Sequence, residues 1–371
     1  MFLASTILAA DATAPPPPPA VWRVLTEFLY FAALCGVTGG AGTYVLAVAP
    51  ALRHGPDAAP VVARRAAIGL GILGPVLVVA LWLQLAGTVA KAGKVSFGAA
   101  LGNVGGALGG LTTVQFALHA VAGLVLASLL VPAVRPRVRA VAGTAAVLAV
   151  AGTLIEGIPT AGGDAGKLLG GVFTQLHVLG ATSWLGGLAL LAGLAVAVRR
   201  VGTGDVWAAV WARFSTIAMA AVGVLLVSGL WLLWMHVGSP AELVTTVYGR
   251  FLLVKLVLVL AMLVAGALNQ LSLLPRIARV RRAEPDGASL LRLTLRHFPR
   301  VVALEVALGA VVLLIVPFLS GSARKQAGEV GSPAVDGGVF LIGLLFVAML
   351  VLSFVAAARL GDRLGRRPAA A

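Results

Sequence analysis

The chain has 371 residues, 60% of them hydrophobic and 11% charged, with a mean hydropathy of +1.03. A soluble domain carries roughly 25% charged residues, so this composition excludes a water-soluble globular protein and predicts a polytopic membrane protein. The formal charge of +15 is explained first by topology and anionic headgroups, so the lipid bilayer is the expected partner and nucleic acid is not.

Residues 1–21 begin MFLASTILAADATAPPPPPA, a short apolar run followed by a proline tract that holds an extended spacer. The segment lacks the basic start of a secretory signal. An extracytoplasmic tail is therefore the expectation, with a cleaved signal as the other reading.

A hydrocarbon core about 30 Å thick needs about 20 apolar residues in helical form. Stretches of that kind run over 22–49, 67–90, 111–131, 138–155, 172–198, 213–236, 250–273, 300–320 and 338–360. The predicted fold is all-α, a bundle of about nine transmembrane helices. It divides into an N-terminal four-helix half at 22–171, a second half at 172–322, and a ninth helix with a basic tail at 323–371. The first stretch holds Glu27 near one end and Cys35, the sole cysteine, in its middle. A single cysteine forms neither an intrachain disulfide nor a CxxC metal site.

Lys and Arg concentrate on alternate loops. Twenty lie after the odd-numbered stretches and in the tail, seven on the other side, and Lys255 falls within the seventh stretch. Positive residues are retained in the cytoplasm. The N-terminus is thus expected outside and the C-terminus inside, with the chain in the cytoplasmic membrane.

That orientation assigns depths. His119 lies about 12 Å below the outer end of the third stretch and His177 about 8 Å below that of the fifth. Gln115 and His119 share one helical face with Thr112; Thr174, His177 and Trp184 share another. Lipid satisfies none of these polar groups, so both stripes are predicted to turn into the bundle and towards each other. The sixth stretch adds Ser228, Trp231 and Met235 on one face, with His236 at the outer mouth. Glu27 and Glu156 fall on the outer rim as candidate cavity residues, with ordinary solvated charges as the alternative. Lys255 either snorkels outward or pairs with one of those carboxylates. Asn269 and Glu305 sit near the cytoplasmic arginines, where a structural pair is the default.

Imidazole suits copper, zinc and iron, and thioether selects Cu(I). His119, His177, Met235 and His236 are therefore the candidate metal ligands, with copper as the metal. The same two buried histidines could instead hold a b-type haem between the third and fifth helices, where Gly123, Gly180, Gly186 and Gly187 would permit close approach. A third reading is an assembly subunit of a respiratory complex, with no ligand of its own. HExxH, GxGxxG after a strand and P-loop patterns are absent, so no enzyme is expected, redox chemistry being open only through haem. The glycine-rich loops at 93–110 and 156–171 read as flexible caps over an outer cavity.

The segments FTQLHVLGATSWLGGLALL, YGRFLLVKLVLVLAMLVAGALNQLSLLPRI and RVVALEVALGAVVLLIVPFLSG resemble the CopD family of bacterial copper-resistance membrane proteins. The likeness covers 172–322. His177, Trp184, Gly186 and Gly187 match its first motif, Lys255 and Asn269 the second, Glu305 the third. His119 comes from depth alone. The resemblance implies copper handling at the cytoplasmic membrane, by transport or handover for resistance or cuproenzyme supply. An extracytoplasmic copper chaperone or a respiratory oxidase is the implied partner.

Overall fold

The computed structural model describes residues 17–158, 165–197, 204–268, 298–329, 333 and 336–366. Among these there is no strand, and nine helices are long and apolar enough to cross a membrane. We number them span 1 (Val21–Ala51), span 2 (Ala59–Gly93), span 3 (Gly110–Leu130), span 4 (Pro132–Glu156), span 5 (Gly166–Val196), span 6 (Val206–His236), span 7 (Val247–Ala267), span 8 (Val301–Phe318) and span 9 (Gly337–Ala356). All nine expected stretches are present. Asn269 and most of the arginine-rich segment before span 8 lie outside the described residues.

Span 1 is the axis of the molecule: 72% of its apolar window is buried, against none of span 9. Its centre departs from the α-helix in two π-helical segments, Cys35–Gly40 and Tyr44–Val48. Hydropathy carries no sign of this. The cause is the neighbouring backbone: a Cβ on Gly186 would land on the Cys35 carbonyl oxygen, and one on Gly39 on the Thr182 carbonyl. Glycine at both positions lets spans 1 and 5 meet backbone to backbone, as small residues do in membrane bundles, and the widened turns accommodate the contact.

Spans 2, 3 and 4 pack beside span 1 as one group, with span 3 held mainly between spans 2 and 4. Gly74 and Gly123 make the closest approach between spans 2 and 3. Spans 5 to 8 form a second group in an open arc: span 6 packs on 5, span 5 on 8, and span 8 on 7. The consecutive spans 6 and 7 scarcely touch. Spans 5 and 8 connect them through the arc. Leucine and valine side chains such as Leu256, Val257 and Leu260 stand exposed on the outer faces, a surface that water would aggregate and acyl chains cover.

The loop at 93–110 is folded, not a flexible cap. Ser96 caps the short helix Phe97–Leu101 by accepting from the Ala99 N–H, and Phe97 stacks on Trp22 with ring centroids 4.8 Å apart. Ala100 and Val104 join Leu85, Ala86 and Ala90 in a second small core. Apolar residues within the glycine-rich run give that loop its own burial.

Candidate functional site

His119 is fully buried on span 3, and its interface is with span 4. Nε2 lies 3.0 Å from the Ala149 carbonyl oxygen and 3.3 Å from Thr153 Oγ1. A carbonyl only accepts, so Nε2 carries the proton and Nδ1 is left with a lone pair. That Nδ1 is buried without a partner. Gly152 makes the room, since a Cβ there would come within 2.9 Å of the imidazole. The Tyr30 ring of span 1 covers another side, edge-on at 6.2 Å. One turn earlier along span 3, the Gln115 amide donates to Glu156 at 2.7 Å.

His177 belongs to a different interface. Its Nδ1 lies 3.2 Å from Ser228 Oγ on span 6, and the Ser228 hydroxyl donates to the Val224 carbonyl at 2.6 Å. A hydroxyl has one proton to give. Nδ1 must therefore be the donor to Ser228, which leaves the Nε2 lone pair free. Gly229 gives the ring its space: a Cβ there would meet His177 at 3.3 Å. Lys255 of span 7 lies within electrostatic range of the same ring.

The two imidazoles do not face one another. Gln175, two residues before His177, abuts Gly157 at the end of span 4, and two residues turn a helix by about 200°. Span 5 thus presents Gln175 to the side on which His119 lies and His177 to the opposite side. Glycines 123, 180, 186 and 187 close on spans 2, 6 and 1 and on Phe214. They open no porphyrin-sized gap between spans 3 and 5.

The remaining candidates fall into separate settings. His236 donates from Nδ1 to the Leu232 carbonyl at 2.8 Å and stacks on Tyr248, so its Nε2 also keeps a lone pair. Met235 stands beside it, half-buried. Glu27 pairs with Arg23 at 2.7 Å, and Arg23 also donates to Ser320. Glu156 accepts from Gln115. Lys255 thus finds neither carboxylate as the partner that snorkelling had as its alternative. Trp184 is buried in the main core, two turns deeper than His177 on the same face. Glu305 is 2% exposed beside Gly266 of span 7 and is engaged with a partner. Among the described residues no three His, Cys, Asp or Glu side chains converge as a metal cage. Ser228 was visible in the sequence only as part of a polar stripe; Gly152, Thr153, Gln175 and Phe173 carried no signal.

Fold and site together define a multi-pass helical membrane protein whose second group of spans holds an imidazole, His177, against Ser228. A family model described as Copper resistance protein D matches residues 208–319, so the resemblance read from the sequence is borne out over spans 6 to 8. That segment contains Ser228, Met235, His236, Lys255, Asn269 and Glu305; His177, Trp184, Gly186 and Gly187 precede it. The chain is also similar to the copper transport protein CutJ of Bacillus subtilis strain 168, 39% identical over 104 residues, which are 28% of this chain and 19% of that protein. This chain therefore spans less than a fifth of the relative's length in that match. No solved structure matches.

Proposed function

We propose that this protein binds extracytoplasmic copper among spans 5 to 8 and moves it inward or hands it to a partner at the cytoplasmic membrane. The observation that carries this reading is the His177–Ser228 pair, in which the serine's committed proton leaves Nε2 as a free neutral donor. Imidazole is a copper ligand, and a neutral ligand costs the bilayer less than a charged one. The match to Copper resistance protein D and the similarity to CutJ supply the metal.

In this reading His236 and Met235 receive the ion at the mouth. They stand about 10 Å further out along span 6 than Ser228. Lys255 faces the bound ion and opposes its retention, which suits a site that must release its cargo. Copper is cargo here, so no enzymatic step is assigned. The N-terminus lies outside and the C-terminus in the cytoplasm. An extracytoplasmic chaperone would deliver the ion, and a respiratory oxidase is one acceptor.

His119 takes no part in binding the ion. Its proton is held by span 4 and its rim neighbours are Gln115 and Glu156. Nor is haem ligation by His119 and His177 supported, because the body of span 5 stands between the rings. The test is copper titration of the purified full chain against His177→Gln and His119→Gln, with a visible spectrum. We expect a tight site in wild type and in His119→Gln, its loss in His177→Gln, and no Soret band. Undiminished copper binding by His177→Gln would overturn the proposal.

A further inference from the structure

The facing residues of spans 5 and 6 form a ladder. Gly180 meets Ala221 and Leu225, His177 meets Ser228 and Gly229, and Phe173 meets Trp231. Each step moves about one turn toward the outer end, since span 5 is followed backwards and span 6 forwards. The Phe173 and Trp231 rings are stacked, with centroids 4.7 Å apart and planes 16° from parallel. They lie one turn outward of the His177–Ser228 pair and one turn inward of Met235. An aromatic sandwich thus stands between the outer mouth and His177.

Two features suit this pair to a moving part. Trp231 Nε1 is buried with no hydrogen-bond partner, and an unpaired buried donor disfavours the closed arrangement relative to one in which the N–H reaches water. Trp231 also leans on Trp234, centroids 5.3 Å apart, so an indole displaced from Phe173 has another aromatic surface to rest on. Between His236 and His177 the two spans carry a thioether at Met235 and the paired rings of Phe173 and Trp231. An aromatic face attracts a cation but replaces few of its waters. Desolvation cost rises with the square of the charge, so a monovalent soft ion crosses such a layer far more readily than a hydrated divalent one.

We propose that Phe173 and Trp231 are the specificity gate of the copper site, admitting Cu(I) to His177 and holding back Cu(II) and Zn(II). The proposal rests on His177 being the copper ligand, as read above.

The experiment uses the full chain in lipid nanodiscs. Uptake of Cu(I), Cu(II) and Zn(II), and Cu(I) release to an excess of chelator, are followed by stopped flow. Wild type should take up Cu(I) much faster than either divalent ion. Trp231→Leu and Phe173→Leu should each release Cu(I) about tenfold faster or more and should admit Cu(II), giving an electron-paramagnetic signal with imidazole nitrogen couplings. Trp231→Phe restores an aromatic face and should retain slow release, which a purely space-filling role does not predict, because leucine also fills the layer. Wild-type release rates in both leucine variants overturn the gate, as do Cu(II) uptake by wild type as fast as that of Cu(I) and Trp231→Phe behaving like Trp231→Leu. A His177→Gln control separates the two readings. If that control loses copper while the leucine variants behave as wild type, only the gate fails; if it keeps copper, the site itself fails.

Discussion

Ser228 Oγ lies 3.2 Å from Nδ1 of His177 and gives its own proton to the Val224 carbonyl 2.6 Å away. The serine is thereby an acceptor towards the imidazole and fixes which nitrogen can bind a metal. Partners behind a metal-bound histidine commonly change affinity 10- to 100-fold. We expect Ser228→Ala to weaken copper binding by about tenfold while Ser228→Thr, which keeps the hydroxyl, stays near wild type. Chelator competition on the two purified variants checks this.

Lys255 of span 7 lies within electrostatic range of the same ring. A cation opposing a bound cation weakens it by an energy that grows as the surroundings dry out. Lys255→Met should therefore bind copper severalfold more tightly and release it more slowly than wild type. Weaker binding in that variant would show that the lysine assists retention instead.

His119 is a packing residue with a hydrogen-bonded proton at Nε2. Gln at this position offers an Nε2–H donor of similar reach, whereas Ala leaves a cavity and unpairs the site. We expect His119→Ala to destabilise the protein by about 2–4 kcal/mol and His119→Gln by clearly less, with copper affinity unchanged in both. Thermal unfolding in detergent alongside copper titration distinguishes the two effects. Gly152→Ala should also destabilise, because its methyl group would press on the imidazole.

At Gly186 an added methyl group would meet the Cys35 backbone carbonyl, while at Gly36 it would meet only the end of the Leu73 side chain. Backbone cannot swing aside as a side chain can. Gly186→Ala should cost about 1–3 kcal/mol or more and lower the folded yield; Gly36→Ala should be milder. Fluorescence-detected size exclusion at graded temperatures reads both.

Orientation is testable with cysteines. Cys35 is the sole cysteine and is 4% exposed, so Cys35→Ala gives a clean background. A membrane-impermeant maleimide should label Gly98→Cys in intact cells and Ala133→Cys only after lysis. The reverse pattern would invert the topology.

The sequence by itself determined the class, the nine spans and the position of each polar side chain along its helix. Hydropathy is a sum over neighbouring residues, and a helix rises by a fixed step, so no tertiary contact is needed to read either. It also contained the likeness to Copper resistance protein D, since residues such as Lys255 and Glu305 keep their spacing along one helix each. Only the tertiary structure decided azimuth. His119 and His177 have the same chemistry and similar depth. Yet Gly152 and Thr153 draw one ring onto span 4, while Ser228 and Gly229 draw the other onto span 6. The side to which a helix turns is set by small residues and hydrogen-bond partners on other helices, which for spans 1 and 5 lie far apart in the chain, Gly39 against Thr182 and Gly186 against Cys35. The glycines at 39 and 186 show the same dependence: each reads locally as a weak helix former, and only their meeting reveals a contact of backbone on backbone.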